Sequence, residues 1–327
     1  MLSLFRTNKF FANIFLLFYI LILWASIFIV NHETVSSHGG IFYSSIDSLL
    51  EIGSLQRKIL AMIFVFVQAV IINYLVGKQK MTEEITLLPG VFFILFSSFS
   101  PQFFDLSPAM FGNFFLILAI NEIFGTYNKY SCADSIYNIG LFIGLASLFD
   151  FSYTIMLLLA WLGLGVMRAI KLKERLMMIV GFLSPYILVM IYKFWNNDLQ
   201  DFYTIQFNKN LAFLDFSGEY SIHSAYVVGF FGLCVLVAIF SMKTYAYRMK
   251  INKQKSLNIL YMLLAISVLS LLFQKSVQLQ HILVLIPALS ILISINFVKM
   301  PSHWGEILHL GMLVSVLVWQ FFPLLNL

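Results

Sequence analysis

Residues 168–175 read RAIKLKER, and the side of the membrane on which this stretch falls decides the fold. It sets four basic residues between the apolar runs 152–168 and 175–195. Both runs are close to the length of about 17–25 residues that crosses a bilayer. A second basic stretch, KTYAYRMKINKQK at 243–255, lies between the runs 225–242 and 257–274. Cationic loops stay on the cytoplasmic side. The two stretches therefore share a side, and two crossings separate them.

Working outward, further apolar runs occupy 10–31, 57–76, 84–100, 107–124 and 136–150 before this pair, and 280–298 and 306–325 after it. The total is about eleven spans. With residues 1–9 inside, alternation puts fifteen basic residues on the inner side and five on the outer: Arg57, Lys58, Lys193, Lys209 and Lys275. That bias predicts the N-terminus in and the C-terminus out. Composition points the same way, with 61% hydrophobic residues, 11% charged and a mean hydropathy of +0.91. Soluble domains carry about 25% charged residues. The chain reads as an all-α, multi-pass protein of the cell inner membrane.

The first apolar run continues through Val30 without a small-residue cleavage site, so it reads as a retained helix rather than a secretory leader. The net charge of +5 sits almost wholly on the inner side, which makes membrane lipids, and not nucleic acid, the expected partners. Cys132 falls in an inner loop and Cys234 inside a span, so they cannot pair. The chain shows no phosphate-cradling glycine loop, no nucleophile elbow and no metal-ligand spacing. Gly140 and Gly144 form a GxxxG, read here as a close helix contact within the chain.

Most connections are short, which leaves two long outer segments, 32–56 and 196–224. Segments of this length in a compact chain are usually functional or carry their own helices. In the first, Ile46, Leu49, Leu50 and Ile52 repeat at helical spacing opposite Asp47, Ser48, Glu51 and Ser54, which predicts an amphipathic surface helix. In the second, Phe202, Ile205, Leu211 and Leu214 are placed at the membrane interface. Both segments are expected to roof one cavity.

Charge at this face is the feature that stands out. Asp47 is the leading candidate for a general base, with Glu51 and Glu33 behind it. Arg57, Lys58, Lys193, Lys209, Lys275 and His281 are candidates for gripping a lipid phosphate. The bland alternatives are a solvated helix face for the acids and snorkelling for the cations. Asp150, in the tight turn SLFDFSY, reads as a turn or helix-cap residue.

The layout resembles the GT-C class of integral membrane glycosyltransferases. FFILFSSFSPQFFDLSPAMFGNFFLILAI at 92–120 is similar to the third and fourth spans of its mannosyltransferase-like members, and YNIGLFIGLASLFDFSYTIMLLLAWLGLGV at 137–166 to their fifth and sixth. The resemblance covers roughly residues 1–225, leaving 226–327 as variable C-terminal helices. It implies a polyprenyl-phosphate-linked sugar as donor and an acid in the first outer loop as catalyst, a place that Asp47 or Glu33 would fill. The chain departs from the family in lacking an Asp-Glu pair there, and in carrying Asp150 where a lysine or arginine often stands. It also looks like a family of uncharacterised multi-pass proteins from Bacteroidetes, which implies no activity. Two functions follow as expectations. One is sugar transfer at the outer face; the other is an inactive scaffold or lipid-binding subunit of an envelope protein complex.

Overall fold

The computed structural model describes residues 5, 10–30, 39–49, 53–82, 86–169, 171–208, 210, 222–246, 250–273 and 278–325. Its helices are α1 (Phe10–Leu23), α2 (Ser26–Ile29), α3 (Ile41–Asp47), α4 (Leu55–Lys78), α5 (Leu88–Ser97), α6 (Pro108–Gly125) and α7 (Ala133–Phe149). They continue as α8 (Met156–Met167), α9 (Leu172–Trp195), α10 (Leu199–Tyr203), α11 (Ile222–Ala246), α12 (Ile251–Ser270), α13 (Ile286–Lys299) and α14 (Ser302–Leu325). Tight 3₁₀ turns lead into α8 and α13, at Phe151–Ile155 and Leu279–Leu285. Among the described residues there is no strand.

Among the described residues, six helices are long and apolar enough to cross a membrane: Leu55–Lys78, Pro108–Gly125, Leu172–Trp195, Ser224–Met242, Leu279–Lys299 and Ser302–Phe321. The other apolar helices are shorter. Local chemistry sets several starts. Ser54 caps α4 by accepting from the Arg57 amide, and Ser107 caps α6 by accepting from Met110, with Pro108 at the first position, where no amide hydrogen is needed.

The span 279–299 is central, 89% buried, whereas 172–195, 224–242 and 302–321 are only 28%, 22% and 22% buried. Apolar side chains on those three outlying helices point away from the protein: Leu188 on α9, Phe240 on α11 and Leu310 on α14. Such surfaces suit contact with hydrocarbon. One core runs from Phe5 to Val316. The last helix is tied into it by polar bonds, Tyr19 Oη to His309 Nε2 at 3.0 Å and Gln320 Nε2 to the Ser98 carbonyl at 2.6 Å. Trp24 Nε1 donates to Ser98 Oγ at 2.9 Å.

The GxxxG packs within the chain. A Cβ on Gly140 would stand 1.9 Å from the Met178 carbonyl oxygen, and one on Gly144 2.5 Å from that of Phe182, so α7 and α9 touch backbone to backbone. Cys132 and Cys234 are both free and buried.

The structure revises the reading of both long segments. The helix after the first apolar run covers Ile41–Asp47, starting ahead of the expected one, and it buries Ile41 and Tyr43 while Leu49 is 81% exposed; Leu50 and Ile52 lie outside the described residues. The reason is Gly40. Its amide donates to the Phe149 carbonyl at 2.7 Å, and a Cβ there would lie 2.1 Å from the Leu148 carbonyl oxygen. The chain is therefore anchored ahead of the expected helix. In the second segment Phe202 is buried against Ile41, Leu148 and Tyr186 rather than spread on an interface. Leu211 and Leu214 lie outside the described residues.

Candidate functional site

Arg57 sits in the first turn of α4 and is 1% exposed. Nη1 donates to Asp47 Oδ1 at 2.7 Å, and Nη2 donates to the Leu106 carbonyl at 2.9 Å and to the Tyr43 hydroxyl. Nε stands 2.7 Å from Asp105 Oδ1, an ion contact without the linearity of a hydrogen bond. Tyr43 Oη in turn donates to the Leu106 carbonyl at 3.0 Å, and the guanidinium carbon lies 5.7 Å from the Tyr43 ring centre. One guanidinium thus joins three elements: α3, the start of α4 and the loop between α5 and α6.

The two carboxylates it joins differ in setting. The Asp47 side chain keeps 32% exposure, whereas that of Asp105 keeps 5%. Burial pushes the Asp105 carboxyl above the usual carboxylate range, opposed by the nearby Arg57 charge, its bond from the Leu106 amide and the Lys58 charge. Lys58 follows Arg57 on α4 and is 8% exposed. Among the described residues it has no hydrogen-bond or ion-pair partner. Taking most of a lysine side chain out of water is costly to its charge, and an anion beside it would relieve that cost.

His281 reaches the same end of the bundle. Gln280 Nε2 donates to the Gln102 carbonyl at 3.3 Å, in the loop that ends at Asp105. His281 Nδ1 lies 3.8 Å from Asp150 Oδ2, and neither atom has a hydrogen-bond partner. Asp150 caps the 3₁₀ turn that follows α7, its Oδ1 accepting from the Ser152 amide at 3.0 Å. Asn113 Nδ2 donates to the Leu283 carbonyl at 2.6 Å, and Asn113 Oδ1 accepts from Tyr153 Oη at 2.8 Å. This buried chain holds the 279–285 turn in place.

The two long segments meet through Gln206. Its Oε1 accepts from the Ile41 amide at 3.0 Å, and its Nε2 donates to the Ser147 carbonyl at 2.8 Å. They therefore lie at one end of the molecule, beside the Arg57 group.

Of the sequence candidates, Asp47, Arg57 and Lys58 come together, and His281 joins them through the 101–105 loop. Lys193 does not. Its ammonium lies 3.7 Å from Asp198 Oδ2, in the turn that ends its own helix. Glu33, Glu51, Lys209 and Lys275 lie outside the described residues. The members of this group that the sequence did not single out are Asp105 and Tyr43, and with them the contact between Asp150 and His281. Asp105 had a signal, an acid set between Pro101 and Pro108 in an otherwise apolar connection. Among the described residues no three His, Cys, Asp or Glu side chains gather as metal ligands.

No protein family, no curated protein and no solved structure matches this chain.

Proposed function

We propose that this chain is a GT-C-like glycosyltransferase of the cell inner membrane that moves a sugar from a polyprenyl-phosphate carrier to an acceptor hydroxyl at the outer face. The observation that carries the reading is Lys58, a cation more than nine-tenths buried at the end of a spanning helix, without a partner among the described residues, beside an arginine-joined pair of carboxylates. Ionisable groups at membrane depth are functional candidates by default. Lys58 receives the carrier phosphate. Arg57 is already filled by protein acceptors, so its part is to hold Asp47 in place. Asp47, the more exposed carboxylate, takes the proton from the acceptor hydroxyl.

A scaffold or lipid-binding subunit of an envelope complex is the second reading. It is favoured by the bond that Asp47 makes to Arg57, which is what a purely structural carboxylate would make.

The test is reconstitution in liposomes with undecaprenyl phosphate as the binding probe and its sugar-loaded forms as donors. Lys58→Gln should weaken carrier binding by about tenfold or more, the loss of a charged hydrogen bond. Asp47→Asn should abolish transfer and leave carrier binding intact. Carrier binding without transfer in the wild-type protein selects the scaffold reading, and no carrier binding at all overturns both.

A further inference from the structure

Away from Arg57, a cavity of about 540 Å³ opens between α11, α13 and α14, a size common for sites that hold small molecules. Its floor is Cys234, Ile293 and Asn296, all buried, and its rim is Leu233, Val237 and Leu308, all exposed. The cavity therefore opens sideways onto the apolar flank of the bundle, between the two least buried spans. On α11 the lining runs from Leu233 to Ser241, about two turns and about 12 Å along the helix axis. Its polar residues, Ser241, Asn296 and Lys299, are gathered toward the Lys299 end, and the rest of the lining is apolar. That is the shape of an amphiphile with its polar end beside Asn296.

The hydrogen bonds around Asn296 say what the polar end must bring. Lys299 is already engaged by the protein, so the cavity asks for no charge. Ser241 Oγ donates to the Ala238 carbonyl at 2.8 Å, so toward Asn296 it can only accept, and it does so from Nδ2 at 3.1 Å. This fixes which way round the Asn296 amide sits. The residue is 9% exposed, and its Oδ1 is left as an acceptor with no hydrogen-bond partner among the described residues. An unmet acceptor at this depth is costly, and a donor recovers the cost. An acyl chain, an ester carbonyl and a phosphocholine headgroup have no hydrogen to give. A lipid hydroxyl has one.

We infer that this cavity binds an uncharged lipid with a free hydroxyl, whose O–H donates to Asn296 Oδ1 and whose chain runs along the apolar lining toward Leu233 and Met312. Diacylglycerol and a polyprenol share that chemistry. Either reaches the cavity between Val237 and Leu308 without leaving the bilayer. The site is separate from the Arg57 group and does not rest on the transfer reading, so failure of either leaves the other standing.

The experiment uses the whole protein in phosphatidylcholine nanodiscs doped with a chain-photoactivatable diacylglycerol or polyprenol. The controls are the methyl ether of each, which keeps the chain and loses the donor hydrogen, and photoactivatable phosphatidylglycerol. Peptides from residues 233–241, 293–300 and 308–312 should be labelled about fivefold more by at least one alcohol than by its ether, the weight of one hydrogen bond. The alcohol that shows the difference identifies the source. The exposed face of α9 should be labelled alike by alcohol and ether. Asn296→Leu, which keeps the floor filled and removes the acceptor, should abolish the difference, and Val237→Trp, which narrows the mouth, should lower labelling by every probe. Equal labelling by alcohols and ethers in the wild-type protein, or heavier labelling by phosphatidylglycerol than by either alcohol, overturns the inference. A difference that persists in Asn296→Leu, with the protein still folded by its melting profile, overturns it as well.

Discussion

Removing the Arg57 side chain should cost more than its packing, because Asp105 would be left buried without its ion-pair partner. Arg57→Met is expected to destabilise the protein by about 3–5 kcal/mol, the usual result of breaking a buried ion pair from one side. Adding Asp105→Leu in the same background should restore much of that loss, because both charges are then gone. Arg57→Lys should not rescue, since one ammonium cannot present a planar fork to Asp47, Asp105 and the Leu106 carbonyl together. Denaturant unfolding of the detergent-solubilised protein measures all three variants. Equal stability of Arg57→Met and wild type would make the ion pairs incidental. At this scale the sequence showed the charged residues but not their joining. Asp47 and Arg57 are ten positions apart with a turn between them, and Asp105 comes from a loop no local spacing connects to either.

Helix contacts were easier to read than loop contacts. The glycines at 140 and 144 announced a close approach in their spacing alone, because a missing side chain every fourth residue leaves one helix face open. Gly140→Leu should force α7 and α9 apart, since the group met is the Met178 backbone carbonyl, which cannot swing aside. The expected loss is about 1–3 kcal/mol, the range for overpacking a fitted core. Gly229→Ala on α11 is the control, as a Cβ there meets nothing within 4 Å. Equal melting temperatures for the two variants would show that the α7–α9 contact is loose. The placement of α3 was not legible in the same way. Apolar period pointed to residues 46–52, but burial is decided by Gly40 at the Leu148–Phe149 backbone, and a glycine that permits a contact leaves no periodic trace. Gln206 is a similar case, a lone amide in a polar segment whose two backbone partners are brought together only by the fold.

At the scale of the whole molecule, the distribution of lysine and arginine makes a statement about sidedness that helix packing alone does not. The structure gives two ends, one with Ser48, Gln206 and Arg57, the other with Tyr130, Lys171 and Lys299. On the eleven-span alternation expected from the sequence, the fifteen-to-five division of basic residues predicts that the first end faces outside. The assignment is checked in a background with both native cysteines replaced by serine, which is tolerable if neither thiol is needed for packing. Single cysteines at Ser48 and Tyr203, both exposed, should react with an impermeant maleimide on intact cells. Cysteines at Tyr130 and Lys171, exposed at the other end, should react only after permeabilisation. The reverse pattern would invert the chain and move Asp47 and Lys58 to the cytoplasmic face, where the proposed acceptor chemistry would need a cytoplasmic donor. Ser48 and Tyr203 reacting from opposite sides would do greater damage. The Gln206 bond to Ile41 requires the two segments to share a surface, and with it would go the grouping of α3, α4 and the second long segment at one end.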